Sequence, residues 1–132
     1  MRPQHEKLIP VSQRKRNTSM RADYPQIIGT TIHGTIDRPL GSHHPHYPTM
    51  VYPINYGYAD EYEAEDGEKQ DLYYLGCDHP VHHITGQVIA VYRRTDDVED
   101  KWIVSNNKEY SDEDILQMIH FQEQYYHGYL LR

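Results

Sequence analysis

Gly86-Gln87-Val88-Ile89-Ala90-Val91-Tyr92-Arg93-Arg94 is the stretch whose periodicity decides the fold class. Val88, Ala90 and Tyr92 alternate with Ile89 and Val91, so both faces are apolar, which is the pattern of a strand covered on both sides. Weaker runs of the same kind lie to either side. Residues 27–36 are rich in Ile and Thr, with Gly29 and Gly34 as weak points. Residues 50–58 are extended but interrupted by Pro53, and residues 71–76 and 101–104 complete the set. Between them stand Asp37-Arg38-Pro39-Leu40-Gly41-Ser42, the proline-broken loop 43–48, an acidic loop over 59–69 around Asp66-Gly67, and a charged turn over 96–100. One segment reads as a helix. Ser111 is an N-cap, Glu113 and Asp114 load the first turn, and Ile115, Met118, Ile119, Gln122 and Tyr125 recur at helical spacing, widened by Leu116 and stopped by Gly128. The expected architecture is mainly β with a C-terminal helix: an OB-like closed β-barrel of about five strands.

Charge divides the chain in two. Residues 1–22 hold six basic side chains against Glu6, a charge of +5, and the whole 132-residue chain carries −7, which leaves −12 on the remainder. Residues 1–22 are therefore expected to be a basic flexible tail, and residues 23–132 a single domain. An acidic body repels nucleic-acid phosphate, because such binding needs Lys and Arg to displace counterions. A lone Cys excludes a disulfide framework and any multi-Cys zinc site. No apolar run is long enough to span a bilayer, so a soluble, cytoplasmic protein without a membrane partner is expected.

Three groups of residues could carry chemistry. Asp66-Gly67-Glu68-Lys69-Gln70-Asp71 and Asp96-Asp97-Val98-Glu99-Asp100 each place carboxylates on a tight connection ending in a strand. Gathered at one barrel rim they would repel unless a hard divalent cation stood between them; left apart they are a solvated acidic surface. His43, His44 and His46 in one loop, with His79, His82 and His83 in another, could bind Zn²⁺ or Ni²⁺ or be solvated polar loops. Cys77 beside His79 could be an activated thiol or a small buried hydrophobe.

A sharper signal is Met50-Val51-Tyr52-Pro53-Ile54-Asn55-Tyr56-Gly57-Tyr58, which resembles the Tyr-Pro-x-Asn-Tyr-Gly segment of the family I soluble inorganic pyrophosphatases. Asp66 to Asp71 is similar to that family's Asp-Gly-Asp-x-x-Asp signature, and Thr95 to Asp100 to its later acidic turn. Ile119 to Tyr125 is similar to the helix bearing its phosphate-binding Tyr, and Asp37-Arg38-Pro39 to its Glu-x-Pro. The likeness spans residues 27–127 and the motifs keep their order, nearest to a short branch that shares Asp-Arg-Pro-Leu-Gly-Ser.

The resemblance implies Mg²⁺-dependent hydrolysis of pyrophosphate, with Mn²⁺ as an alternative to Mg²⁺. By position it implies Asp66, Asp71, Asp96, Asp100 and Asp37 as metal ligands. Glu68 would stand at the general-base position, Tyr56 would act in catalysis and bind phosphate, and Tyr125, Arg94 and Lys101 would bind substrate. Pyrophosphate or a related phosphoanhydride is the implied partner, and a homo-oligomer is left open. The chain departs from the pattern in a shortened 37–52 hairpin, in Tyr126 where the family has Lys, and in Lys101 standing one place early. Those departures support an alternative: the same fold, altered, binding metal, nucleotide or a protein partner without turnover. A third reading is an OB module that stacks single-stranded nucleic acid on exposed Tyr rings, opposed by the acidic body.

Overall fold

A computed structural model describes residues 24–132, so the basic segment 1–22 lies outside the described residues. In chain order the elements are α1 (Tyr24–Ile27), β1 (Thr31–Arg38), β2 (Asn55–Glu63), β3 (Lys69–Leu75), β4 (His83–Arg94), β5 (Asp100–Ser105), α2 (Asp112–Glu123) and β6 (Gly128–Leu131). The strands lie in the order β1-β2-β3-β5-β4, and β4 also pairs with β1, which closes the ring. All pairings are antiparallel except β3 with β5. The result is the expected mainly β structure, a closed five-strand mixed barrel with one helix in its C-terminal region. Among the described residues no helix is long and apolar enough to cross a membrane.

Strand β4 holds the barrel together because it has three partners. Its first part pairs with β1, its later part with β5, and its last four residues with β6. The register with β5 shifts between Val88 and Ala90. One extra residue there, Ile89, changes which way everything downstream points. Val88 and Val91 both enter the barrel, while Ala90 and Tyr92 turn outward. Strict alternation would have put Val88, Ala90 and Tyr92 on one face, so the bulge corrects that reading.

Two apolar layers follow. All five barrel strands contribute to the interior, with Ile32 and Ile36, Ala59, Leu72 and Tyr74, Ile84, Val88 and Val91, and Trp102 and Val104. The outer layer forms where Ile115 and Ile119 of α2 cover Tyr56, Tyr73, Leu75, Ala90, Tyr92 and Ile103, with Tyr52 beside them. Helix α2 begins as its sequence suggests: the Ser111 hydroxyl accepts the Asp114 N–H at 3.1 Å.

Other boundaries differ. Residues 59–63 belong to β2 rather than to an acidic loop; their charges face solvent on a projecting hairpin, and only the Asp66-Gly67 tip turns, with Gly67 at φ 84°. Strand β1 starts later than residue 27 and runs through Asp37 and Arg38, with a register shift between Ile36 and Arg38. Residues 50–54 are not a strand; one isolated bridge joins His43 to Val51. Gly128 does not stop α2, which ends at Glu123, but opens β6 against Arg94. Tyr125 therefore lies past the helix.

Candidate active site

The outer face of the barrel below the C-terminal turn of α2 carries charges where the rest of that layer carries rings. Strand alternation puts every second residue of β3 and β5 on this face. On β5 these are Lys101 and Ile103, preceded by Glu99; on β3, Asp71 and Tyr73. The Lys101 ammonium is 1% exposed. It donates to Asp71 Oδ2 at 2.5 Å and to the Tyr56 hydroxyl at 3.0 Å, and stands 3.8 Å from Glu99 Oε2. Burial by itself would lower Lys101, as would Arg94, yet Asp71, Tyr56 and Glu99 hold it well above the ordinary lysine value. Burial pushes the Glu99 carboxyl up to about 8; Lys101 opposes this, while Asp71 and then Asp66 add to it. Two carboxylates thus share one buried ammonium, and Asp66 reaches the group only through Glu99.

A second ionic cluster is formed by α2 itself. Arg94, 2% exposed, donates from Nε and Nη2 to the two oxygens of Glu123 at 2.8 and 2.9 Å, and its guanidinium carbon lies 3.4 Å from the centre of the Tyr126 ring. The Tyr73 hydroxyl donates to Glu123 Oε2 at 2.6 Å and accepts from Gln122 Nε2 at 2.7 Å. Tyr52 donates to Gln122 Oε1 at 3.1 Å and accepts from Arg38 at 2.8 Å. Burial would raise Glu123, but Arg94 holds it below the usual carboxylate range. The chain of donors runs one way, from Arg38 to Glu123, because an arginine only donates and an ionised carboxylate only accepts.

The residues singled out from sequence are distributed as follows. Asp71, Tyr56 and Lys101 come together, and Asp66 approaches through Glu99. Asp66 Oδ1 also accepts the Glu68 N–H at 3.0 Å, forming the turn, with Glu68 half-buried. Asp100 sits on the opposite side of β5 from Lys101, in a two-point pair with Arg93 at 3.1 and 3.0 Å. Asp96 is exposed and accepts the His127 N–H at 3.2 Å. Asp37 is half-buried at the irregularity of β1. Arg94 is in the second cluster, and Tyr125 is 61% exposed. The described residues contain no preformed group of three or more His, Cys, Asp or Glu placed to hold a metal ion.

The rival constellations have ordinary partners. The buried His44 accepts the N–H groups of His46 and Tyr47 at Nδ1, at 3.0 and 3.2 Å, and stacks on Tyr52, which folds the proline loop. Cys77 Sγ lies 3.7 Å from both ring nitrogens of His79 and donates to its carbonyl. A groove of about 710 Å³ lined by Ile28, Gln87, Ile89, Lys108, Tyr110 and Arg132 includes none of the residues above.

Sequence reasoning named Glu99 only within its acidic turn, without a role of its own, and passed over Glu123 and Tyr73. Glu99 was legible as the residue two before Lys101, and Glu123 as the residue one helical turn after Ile119. Nothing in the sequence marked Tyr73 beyond its place two residues after Asp71.

No protein-family model and no curated protein matches the sequence. An inorganic pyrophosphatase from Neisseria gonorrhoeae superposes with a TM-score of 0.58 at 19% identity, covering 74% of each chain. One from Ehrlichia chaffeensis gives 0.57 at 16% identity over 76% of this chain and 85% of that one, and one from Thermus thermophilus gives 0.53 at 19% over 72% of each. The fold is shared with the inorganic pyrophosphatases. At these identities the likeness concerns the scaffold, and the pyrophosphatase-like barrel is what it establishes.

Proposed function

We propose that the protein is a divalent-metal-dependent phosphoanhydride hydrolase with pyrophosphate as its first substrate, working in the cytoplasm. The observation carrying this reading is that Asp71 and Glu99 face each other across the Lys101 ammonium, with Tyr56 on the same nitrogen. The donor atoms are all oxygens, which is the chemistry a hard cation takes; they are not gathered in advance, so a divalent ion would have to draw Asp66 and Asp71 together and displace the proton that burial favours on Glu99. Asp66, Asp71 and Glu99 would hold Mg²⁺ or Mn²⁺, with Glu99 standing beside Asp71 where the resemblance gave that place to Asp100. Bound there, the metal would supply a water acidified to hydroxide and neutralise phosphate oxygens. The chain's own part is positioning. Tyr56 offers a hydroxyl, Lys101 a positive charge beside the leaving oxygens once Asp71 turns to the metal, and α2 excludes water from the face. Phosphate release from pyrophosphate and a panel of other phosphoanhydrides, with and without Mg²⁺, tests this. Release that needs Mg²⁺ and vanishes in Asp71→Asn supports it, and full activity in that variant removes it.

One feature favours a second reading. Lys101 and Arg94, the cations best placed for substrate, are sealed inside ion pairs. The same face would then bind metal, nucleotide or a protein partner without turnover. Calorimetry that records binding of Mg²⁺ or a nucleotide in a chain that releases no phosphate selects this alternative.

A further inference from the structure

The pairing that closes the ring gathers a set of side chains that the candidate active site does not use. Along β1, Thr31, His33 and Thr35 face outward while Ile32, Gly34 and Ile36 are buried; along β4, His83, Thr85 and Gln87 face outward between the buried Ile84, Gly86 and Val88. His33 pairs with Thr85, and Thr35 with His83. The Val88 N–H donates to Thr30 at 2.9 Å and the Ile36 N–H to His82 at 2.8 Å, so the backbone bonds of this seam belong to the even-numbered residues of β1. His33 and Thr35 therefore stand in non-hydrogen-bonded pairs, where facing side chains come closest. His33 and His83 are diagonal neighbours there, a spacing that aromatic side chains can bridge, and the crossing diagonal holds only the short side chains of Thr35 and Thr85. Strand β2 adds carboxylates from the other side of β1. Glu61 Oε1 lies 3.5 Å from His33 Nδ1, and Asp60 Oδ1 accepts the Thr35 hydroxyl at 2.6 Å.

We propose that His33, His83 and Glu61 form a surface site for a transition-metal ion of the zinc class, which staples β1 to β4 and to β2 where the barrel closes. Imidazole nitrogens suit such ions and not Mg²⁺, so the site differs in kind from the all-oxygen set of Asp66, Asp71 and Glu99. Two imidazoles and one carboxylate leave a tetrahedral ion a fourth position for water. The three side chains are not gathered in advance. Those of His33 and Glu61 are 64% and 70% exposed and His83 is exposed as well, so closing on an ion costs rotamer freedom and no packing. Asp60 stays on Thr35 and adds negative charge beside the ion. The site is independent of the phosphoanhydride reading, and neither phosphate nor turnover enters its test.

The test is calorimetric titration of Zn²⁺ into the full chain near neutral pH, in a non-chelating buffer with excess Mg²⁺ to occupy all-oxygen groups. The parent chain is expected to bind one ion with micromolar affinity. His33→Asn and His83→Asn are each expected to weaken that binding by at least about tenfold, the least that disturbing a metal's ligand shell costs. Asp71→Asn and His120→Asn are expected to leave it unchanged. With substoichiometric Ni²⁺ as a paramagnetic probe, the amide signals of residues 33, 61, 83 and 85 are expected to broaden first. Zn²⁺ is expected to raise the thermal midpoint of the parent chain and not that of either histidine variant. The proposal is overturned if the parent chain shows no micromolar binding, if either histidine variant binds Zn²⁺ as tightly as the parent, if Asp71→Asn abolishes binding, or if the broadening centres on residues 43–46. Should a histidine variant fail to fold, the broadening experiment, which uses the parent chain alone, decides. A chain that releases no phosphate in the activity assay can still pass this test, and one that hydrolyses pyrophosphate can fail it.

Discussion

The two faces of the same five strands are built on opposite principles. The interior is closed by aliphatic and aromatic side chains from every strand. The outer face below α2 mixes aliphatic residues with tyrosines whose hydroxyls are tied to Gln122, Glu123, Arg38 and Lys101. Burying apolar area is favourable in any arrangement that keeps volume and pattern, so the interior specifies a barrel and little more. Burying ions is favourable only when each charge is answered, so the outer face tolerates one arrangement of its charges. The lesson is that the first face accounts for the barrel and the second for where the buried charges stand.

Substitutions can break the contrast. Lys101→Met leaves Asp71 as an uncompensated buried charge and is expected to lower stability by about 3–5 kcal/mol in chemical denaturation. Combining it with Asp71→Leu should restore much of that loss, whereas an unchanged deficit in the double variant would mean that the ion pair is not the source. Leu72→Ala in the interior opens a cavity and is expected to lose about 3 kcal/mol, with no second substitution on the outer face able to rescue it.

Acidity sharpens the same distinction. The folded-state value of Glu99, about 8, lies above its ordinary 4.5, so the folded chain binds a proton that the unfolded chain has already released. The contribution of Glu99 is therefore fully present below about pH 4.5 and is lost as pH rises through about 8, by on the order of 2 kcal/mol between pH 6 and 8, while Glu123, held low by Arg94, acts in the opposite sense only at acidic pH. Urea midpoints measured across that window in the parent chain and in Glu99→Gln check this: the variant should lose the slope, and parallel curves would show that another group is responsible. The smallest effect concerns the helix that divides the outer face from water. Ser111→Ala removes the cap on the Asp114 N–H and is expected to lower the thermal midpoint by the equivalent of about 1 kcal/mol.

Much of the barrel could be read from the chain because β4 and α2 have strong periods. The bulge could not, since one additional residue leaves no trace in composition, and it alone decides that Arg94 meets α2. The charges of Asp60, Glu61 and Glu63 imitate a loop while belonging to a projecting strand. Tyr129, Leu130 and Leu131 are too few to show a period, and they pair only because β4 extends past β1. At the candidate site the signature residues Asp66, Asp71 and Tyr56 were legible from their motifs. The pairing of Lys101 with Glu99 rather than Asp100 was not, because the run of three charges Glu99-Asp100-Lys101 does not reveal which of them points which way until the neighbouring strand is known.

Ring closure has a kinetic meaning as well. Thr35 pairs with His83 and Thr31 with Gln87, so the seam joins stretches about fifty residues apart in the chain. Non-local pairing of this kind places folding in the millisecond-to-second range, and the seam cannot form during synthesis until β4 has emerged. Helix α2 and β6 come later still. The nascent chain therefore exposes its tyrosine-lined surface until α2 has been made, and the polar residues of that surface accompany it through that interval.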